Sequence, residues 1–190
     1  MAVSSQIVNV PNLLTLTRFI LSVVVFVLIP FDQFLAAMIV FIIAASTDWV
    51  DGWWARKYKQ VTKVGRVFDP FVDKIIICGT FTFLAAEPNS GITPWMAVVV
   101  LGRELLVTSL RALIEQGGGD FSAAFSGKLK MVFQCVAAGA SLLVLHYHAT
   151  SVAVPPWLAW TLFLSVWIAI LSTLQSGIEY IFAAAKHFRS

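Results

Sequence analysis

Six mainly apolar stretches follow one another along the chain, each close to the roughly 20 residues that a helix needs to cross a bilayer. They run from about Pro11 to Ile29, Gln33 to the Trp53-Trp54 pair, Val67 to Ala86, Pro94 to Glu115, Phe125 to His146, and Pro156 to Ala185. Pro11 suits a first helical position. The second stretch should continue as helix beyond its tryptophans, and the sixth is long enough to protrude from the membrane. Pro30, Pro88, Pro94, Pro155-Pro156 and Gly117-Gly118-Gly119 punctuate the chain. Only 12% of the 190 residues are charged and 59% are hydrophobic, whereas a soluble domain carries about 25% charged residues. The expected fold is an all-α integral membrane protein: one domain over residues 1–190, six transmembrane helices, and a polar cavity facing the cytoplasm. Cys78 and Cys135 lie in apolar runs and read as small buried hydrophobes rather than a disulfide or metal pair. Met1 to Asn12 has no Lys or Arg, unlike a signal peptide, so the first apolar stretch is expected to stay as a membrane helix.

Charge placement orients the bundle. Six helices put both termini on one side. All 13 Lys and Arg lie on that side or in the adjoining half-helices, and the opposite connections near Phe31-Asp32, Glu87 to Thr93 and Tyr147 to Pro155 contain none. The positive-inside rule then assigns both termini to the cytoplasm, at an inner membrane. Trp53 and Trp54 fall where an interfacial aromatic belt is expected. His146 and His148 fall at the outer end and read as exposed loop residues.

Ionisable residues at membrane depth cost at least about 2.5–3.5 kcal/mol each, so they need a reason. Asp48 and Asp51 are three apart on the second helix, and Asp69 and Asp73 are four apart at the start of the third. Either spacing puts a pair on one helix face. A short basic connection joins the two helices, which are therefore expected to be antiparallel neighbours with facing acids. Four carboxylates repel one another unless their pKa values rise or cations neutralise them. All-oxygen ligands favour hard ions such as Mg²⁺, Mn²⁺ or Ca²⁺, and four suffice for two ions, an arrangement suited to phosphoryl chemistry. Asp48, Asp51, Gly52 and Ala55 share a face, made nearly bare by the two small residues. That face suits either an approaching anionic ligand or close helix packing. Arg56 can fork onto phosphate oxygens, and Gly65 is expected just ahead of the third helix, where backbone amides could meet a phosphate.

The run DWVDGWWARKYKQVTKVGRVFDPFVD, Asp48 to Asp73, resembles the signature of the CDP-alcohol phosphotransferase family, D-x2-D-G-x2-A-R-x8-G-x3-D-x3-D. All eight fixed positions are present: Asp48, Asp51, Gly52, Ala55, Arg56, Gly65, Asp69 and Asp73. The resemblance implies a six-helix membrane enzyme in which the four aspartates hold two divalent cations, Mg²⁺ or Mn²⁺. It implies that Asp51, Gly52, Ala55, Arg56 and Gly65 contact the CDP group, and that Asp73 is the general base toward the acceptor hydroxyl. A homodimer is also implied, for which the apolar third and fourth helices offer a surface; nucleic acid is not an expected partner. The lipid bilayer is.

The acceptor is read from Gly102 to Gln134. Arg103, Arg111, Lys128 and Lys130 can form a cationic pocket for a phosphate monoester. Arg103 and Glu104 can equally be an internal ion pair, Glu104 pairing with a helix-five Lys. The elements Arg103-Glu104-Leu105-Leu106-Val107-Thr108-Ser109-Leu110-Arg111 and Gly127-Lys128-Leu129-Lys130 resemble those of the bacterial phosphatidylglycerophosphate synthase subfamily, as does the start Pro11-Asn12-Leu13-Leu14-Thr15-Leu16-Thr17-Arg18. That likeness implies CDP-diacylglycerol as donor and sn-glycerol 3-phosphate as acceptor, in a single displacement releasing CMP. Asn12, Thr15 and Arg18 fit the nucleotide side of the cavity, or helix capping and anchoring. Inositol phosphate, serine and phosphatidylglycerol are the competing acceptors. A divalent-cation transporter is the reading from another class, but it would place acids near the midplane of broken, repeated helices.

Overall fold

The computed structural model describes residues 10–58, 63–116 and 125–187, with side chains described over 13–47, 68, 70–114 and 130–185. Each apolar stretch becomes one helix: α1 Val10–Leu28, capped by a 3-10 turn Ile29–Phe31, then α2 Phe34–Tyr58, α3 Lys63–Ala86, α4 Pro94–Gln116, α5 Phe125–Ala149 and α6 Pro156–His187. α2 does run past its tryptophan pair. α3 starts at Lys63 rather than near Val67, so Gly65 lies inside its first turn and not ahead of it. Asp69 and Asp73 consequently stand two and three turns into the helix. α5 continues to Ala149, which makes His146 and His148 part of its last turn rather than of a loop.

Leu13–Phe31, Lys130–Ala149 and Pro156–Ala185 are long and apolar enough to cross a membrane, and Phe34–Thr47 is a shorter apolar helix. α4 carries Arg103, Glu104 and Arg111 within its length, which lowers its apolar character. The 32 residues of α6 extend to about 48 Å at 1.5 Å per residue, beyond the ~30 Å of a hydrocarbon core. Helices of this length joined by a few residues must alternate in direction, because an extended residue spans at most ~3.6 Å.

The turns between helices use left-handed backbone at Asp32, Asn89, Gly91 and Ser151. In the α3–α4 connection the Ser90 hydroxyl donates to the Ile92 carbonyl and accepts from the Ile92 N–H, and Ser141 of α5 donates to the Ser90 carbonyl at 2.7 Å. This connection is thereby fastened to α5 at the end of the bundle opposite the basic residues.

Buried positions form one stripe per helix, and the stripe changes chemistry along its length. On α1 it reads Thr15, Arg18, Ser22 and Val25, continued by Ile29 of the 3-10 turn, at alternating spacings of three and four. On α6 it reads Leu158, Leu162, Val166, Ile170, then Thr173, Ser176 and Tyr180. On α5, Lys130 and Gln134 give way to Ala138, Leu142 and Leu145. The antiparallel order brings the polar thirds of these stripes to one level. Phe41, Phe81, Leu84, Leu142, Leu158 and Ile170 fill the apolar level. Between α1 and α3, Phe26 stacks on Phe83 with centroids 5.2 Å apart. The Phe26 ring also lies over Gly79, where an added Cβ would come within 2.2 Å of it. The missing side chain therefore allows these helices to approach so closely.

The facing acidic ends of α2 and α3 lie, Asp73 apart, outside the residues whose side chains are described. Among the described residues the two helices touch only slightly; α2 leans on α1 and α5, and α3 on α1, α4 and α5. The described buried stripe of α2 consists of Phe34, Ala37, Phe41 and Ala44.

Candidate active site

At the polar level, Arg18 of α1 is ion-paired to Asp73 of α3, the guanidinium Nη1 donating to Oδ1. The two side chains differ sharply in exposure, 2% for Arg18 and 30% for Asp73. Among the described residues Arg18 is the largest of the fully buried side chains. A charge so far from water is tolerated only when paired. Next along α3, Lys74 donates its Nζ to the Thr108 hydroxyl of α4, within electrostatic reach of Glu104, Arg111 and Asp73.

A second cluster joins α4, α5 and α6. Glu104 accepts from Arg103 at 3.0 Å and from Lys130 of α5. Arg103 also donates to the Ser176 hydroxyl, and its guanidinium carbon stands 5.5 Å from the centre of the Tyr180 ring. The Tyr180 hydroxyl accepts from Arg111 at 3.2 Å. One helical turn further out, Gln134 donates to Thr173 at 3.0 Å. The internal ion pair expected between Glu104 and a helix-five Lys is thus present, with Lys130 as the partner. Among the described residues, Glu104 is the carboxylate ion-paired with Arg103 and Lys130, and Arg111 bonds the neutral Tyr180 hydroxyl instead. The Nε atoms of Arg103 and Arg111 are buried N–H donors without a hydrogen-bond partner. Leaving such a donor unmet costs about 1–3 kcal/mol, which an anion reaching into the cluster would offset.

The structure therefore gathers Arg103, Arg111 and Lys130 around Glu104 and Tyr180, and places Asp73 against Arg18. The side chains of Asp48, Asp51, Gly52, Ala55, Arg56, Gly65, Asp69 and Lys128, and of Asn12, lie outside the described residues; their backbones are helical. Helix through Tyr58 keeps Asp48, Asp51, Gly52 and Ala55 on one face, and helix from Lys63 does the same for Asp69 and Asp73. Among the described side chains alone, no group of three or more His, Cys, Asp or Glu converges to hold a metal. Asp73 contributes the right donor chemistry: a partly exposed carboxylate oxygen of the kind that hard divalent cations take.

Sequence reasoning overlooked Ser176, Tyr180, Gln134 and Thr173. A signal existed: Thr173, Ser176 and Tyr180 recur at i, i+3 and i+7 on one face of a mainly apolar helix, which marks a polar stripe that needs a polar partner.

Residues 8–175 match the profile of CDP-alcohol phosphatidyltransferases. The chain belongs to the CDP-alcohol phosphatidyltransferase family. Its relatives include a Bacillus subtilis (strain 168) protein named CDP-diacylglycerol–glycerol-3-phosphate 3-phosphatidyltransferase, 35% identical across 90% of this chain and 93% of the relative. An Escherichia coli (strain K12) protein of the same name is 33% identical across 93% of this chain and 94% of the relative. The family match covers α1 to α5 and much of α6, and so includes Arg18, Asp73, Arg103, Glu104, Arg111 and Lys130 but stops just short of Ser176 and Tyr180.

Proposed function

We propose that this protein transfers the phosphatidyl group of CDP-diacylglycerol to sn-glycerol 3-phosphate, forming phosphatidylglycerophosphate and CMP in phospholipid synthesis. The observation that carries the acceptor assignment is the cationic cluster of Arg103, Arg111 and Lys130, with two buried guanidinium N–H groups still lacking an acceptor. A phosphate monoester supplies the missing acceptors and the missing negative charge. Serine offers less negative charge and would leave the cluster poorly matched. The names of the relatives point to the same substrates.

In this reading Asp48, Asp51, Asp69 and Asp73 would hold two divalent cations, Mg²⁺ or Mn²⁺, which when bound offset charge on the donor pyrophosphate. Asp51, Gly52, Ala55, Arg56 and Gly65 bind the CDP group. Arg103, Arg111, Lys128 and Lys130 hold the acceptor phosphate. Asp73 takes the proton from the acceptor's 1-hydroxyl, that oxygen attacks the lipid-side phosphorus, and CMP departs. All six helices cross the bilayer as one domain over residues 1–190. The polar level and both termini face the cytoplasm at the inner membrane, and a second copy of the chain completes a homodimer.

The test is an acceptor screen with purified protein in detergent, labelled CDP-diacylglycerol and Mg²⁺ or Mn²⁺. CMP release with glycerol 3-phosphate, and not with serine, inositol phosphate or phosphatidylglycerol, is the expected result. Turnover on another acceptor and none on glycerol 3-phosphate would overturn the assignment.

A further inference from the structure

We infer that Arg18 is a positioning residue for the reaction: a buried counter-charge on α1 that fixes the orientation of Asp73 and restrains how tightly divalent cations are held beside it. The inference rests on the reading of Asp73 as metal ligand and base. Three features carry it. First, the pair is asymmetric: the guanidinium is sealed at 2% exposure while the carboxylate it grips is 30% exposed. A side chain so enclosed does not face a substrate, but it can set the direction of one that does. Second, the stem of Arg18 is fixed on α1, whose buried stripe Thr15, Arg18, Ser22 shares one face, with Ser22 donating to the Arg18 carbonyl at 2.8 Å. Third, α1 and α3 are locked together two turns away by Phe26 lying over Gly79 and stacking on Phe83. The carboxylate is therefore held from behind by a rigid neighbour.

Charge and geometry give opposite and separable consequences. A fixed cation next to a metal-binding carboxylate repels a divalent ion, so deleting the charge should tighten metal binding. Deleting the grip should leave Asp73 poorly aimed, and misplacement of a reacting group by about 1 Å can cost on the order of 100-fold in rate. Lysine keeps the charge but not the planar fork.

The experiment compares Arg18→Gln and Arg18→Lys with the parent chain in detergent, measuring Mn²⁺ binding by calorimetry and by electron paramagnetic resonance, and kcat and KM separately. Arg18→Gln should bind Mn²⁺ at least about threefold more tightly while kcat falls about tenfold or more. Arg18→Lys should keep Mn²⁺ affinity within about twofold and still lose about tenfold in kcat, with KM for both substrates nearly unchanged. A folded Arg18→Gln protein that binds Mn²⁺ more weakly would mark Arg18 as a structural strut and overturn the inference. Should Arg18→Gln fail to fold, Arg18→Lys decides, and a parental kcat there overturns it. Asp73→Asn serves as the control: parental turnover in that variant would locate the failure in the reading of Asp73, whereas loss of turnover there with parental Arg18 variants would locate it in this inference alone.

Discussion

Replacing Glu104 with Gln removes one negative charge and keeps the shape and one acceptor oxygen. Glu104 serves two buried cations, Arg103 and Lys130, and the three side chains are only 12%, 9% and 5% exposed. Breaking a buried pair from one side costs about 3–5 kcal/mol because a charge is left without a partner. Arg103 retains Ser176 and the Tyr180 ring, which places the expected loss near the lower end, about 3 kcal/mol. Lys130→Met is the informative comparison. It removes a cation, fills the stem's space with a similar chain, and leaves Glu104 still paired with Arg103, so its cost should be below about 2 kcal/mol. The double variant Glu104→Gln/Lys130→Met removes one of the two cations that the first change strands, and should be more stable than Glu104→Gln alone. Unfolding of the detergent-solubilised protein, followed by circular dichroism through a denaturant series, reads all four species. Additive losses, with the double variant the least stable, would show that Glu104 and Lys130 are not coupled and refute the charge accounting on which the cluster rests.

Three further outcomes follow from the same structure. Arg111→Ala should raise KM for glycerol 3-phosphate by about tenfold or more, since a hydrogen bond to a charged group contributes about 1.5–3 kcal/mol, with KM for CDP-diacylglycerol unmoved; steady-state kinetics with each substrate varied in turn checks this. Gly79→Ala puts a Cβ where the Phe26 ring lies, and overpacking of this kind costs about 1–3 kcal/mol; thermal denaturation should show the loss, and Phe26→Leu in the same chain should recover part of it. Exhaustive chelation should abolish CMP release, and Mg²⁺ or Mn²⁺ added back should restore it.

The helices were legible because apolar runs of membrane length admit few alternatives, and all six appear within a few residues of their expected bounds. The start of α3 was not, because Lys63, Gly65 and Arg66 read as a connection on hydropathy although nothing in them prevents helix. Neighbour relations were harder. A short link between α2 and α3 fixes where their ends meet, while the partners of the described α2 stripe, α1 and α5, come from elsewhere in the chain. The polar partners were hardest. Asp73 and Arg18 are 55 residues apart, and Arg103 and Ser176 are 73 apart. Local spacing identifies a helix face, but the chemistry on the opposing face comes from another part of the chain. Glu104 with Lys130 was within reach, because an acid among basic residues at depth has few places to go.

The level at which these charges sit bears on the reaction itself. Each ionisable group buried away from water carries a cost of several kcal/mol unless it is paired. Arg18 and Asp73 cancel that cost against each other, and Glu104 cancels part of it for Arg103 and Lys130. Among the described residues Arg111 donates to the Tyr180 hydroxyl, and its Nε has no acceptor there. A fold that needed only stability would have closed this account with one more carboxylate, as the ladder Glu104 makes with its two cations shows to be feasible. Leaving it open gives an anionic acceptor a differential reason to enter, and the stripes of α1, α5 and α6 confine the open charge to one end of the bundle. There a donor whose acyl chains lie in the hydrocarbon can present its phosphate to a water-soluble alcohol phosphate without either substrate leaving its own phase.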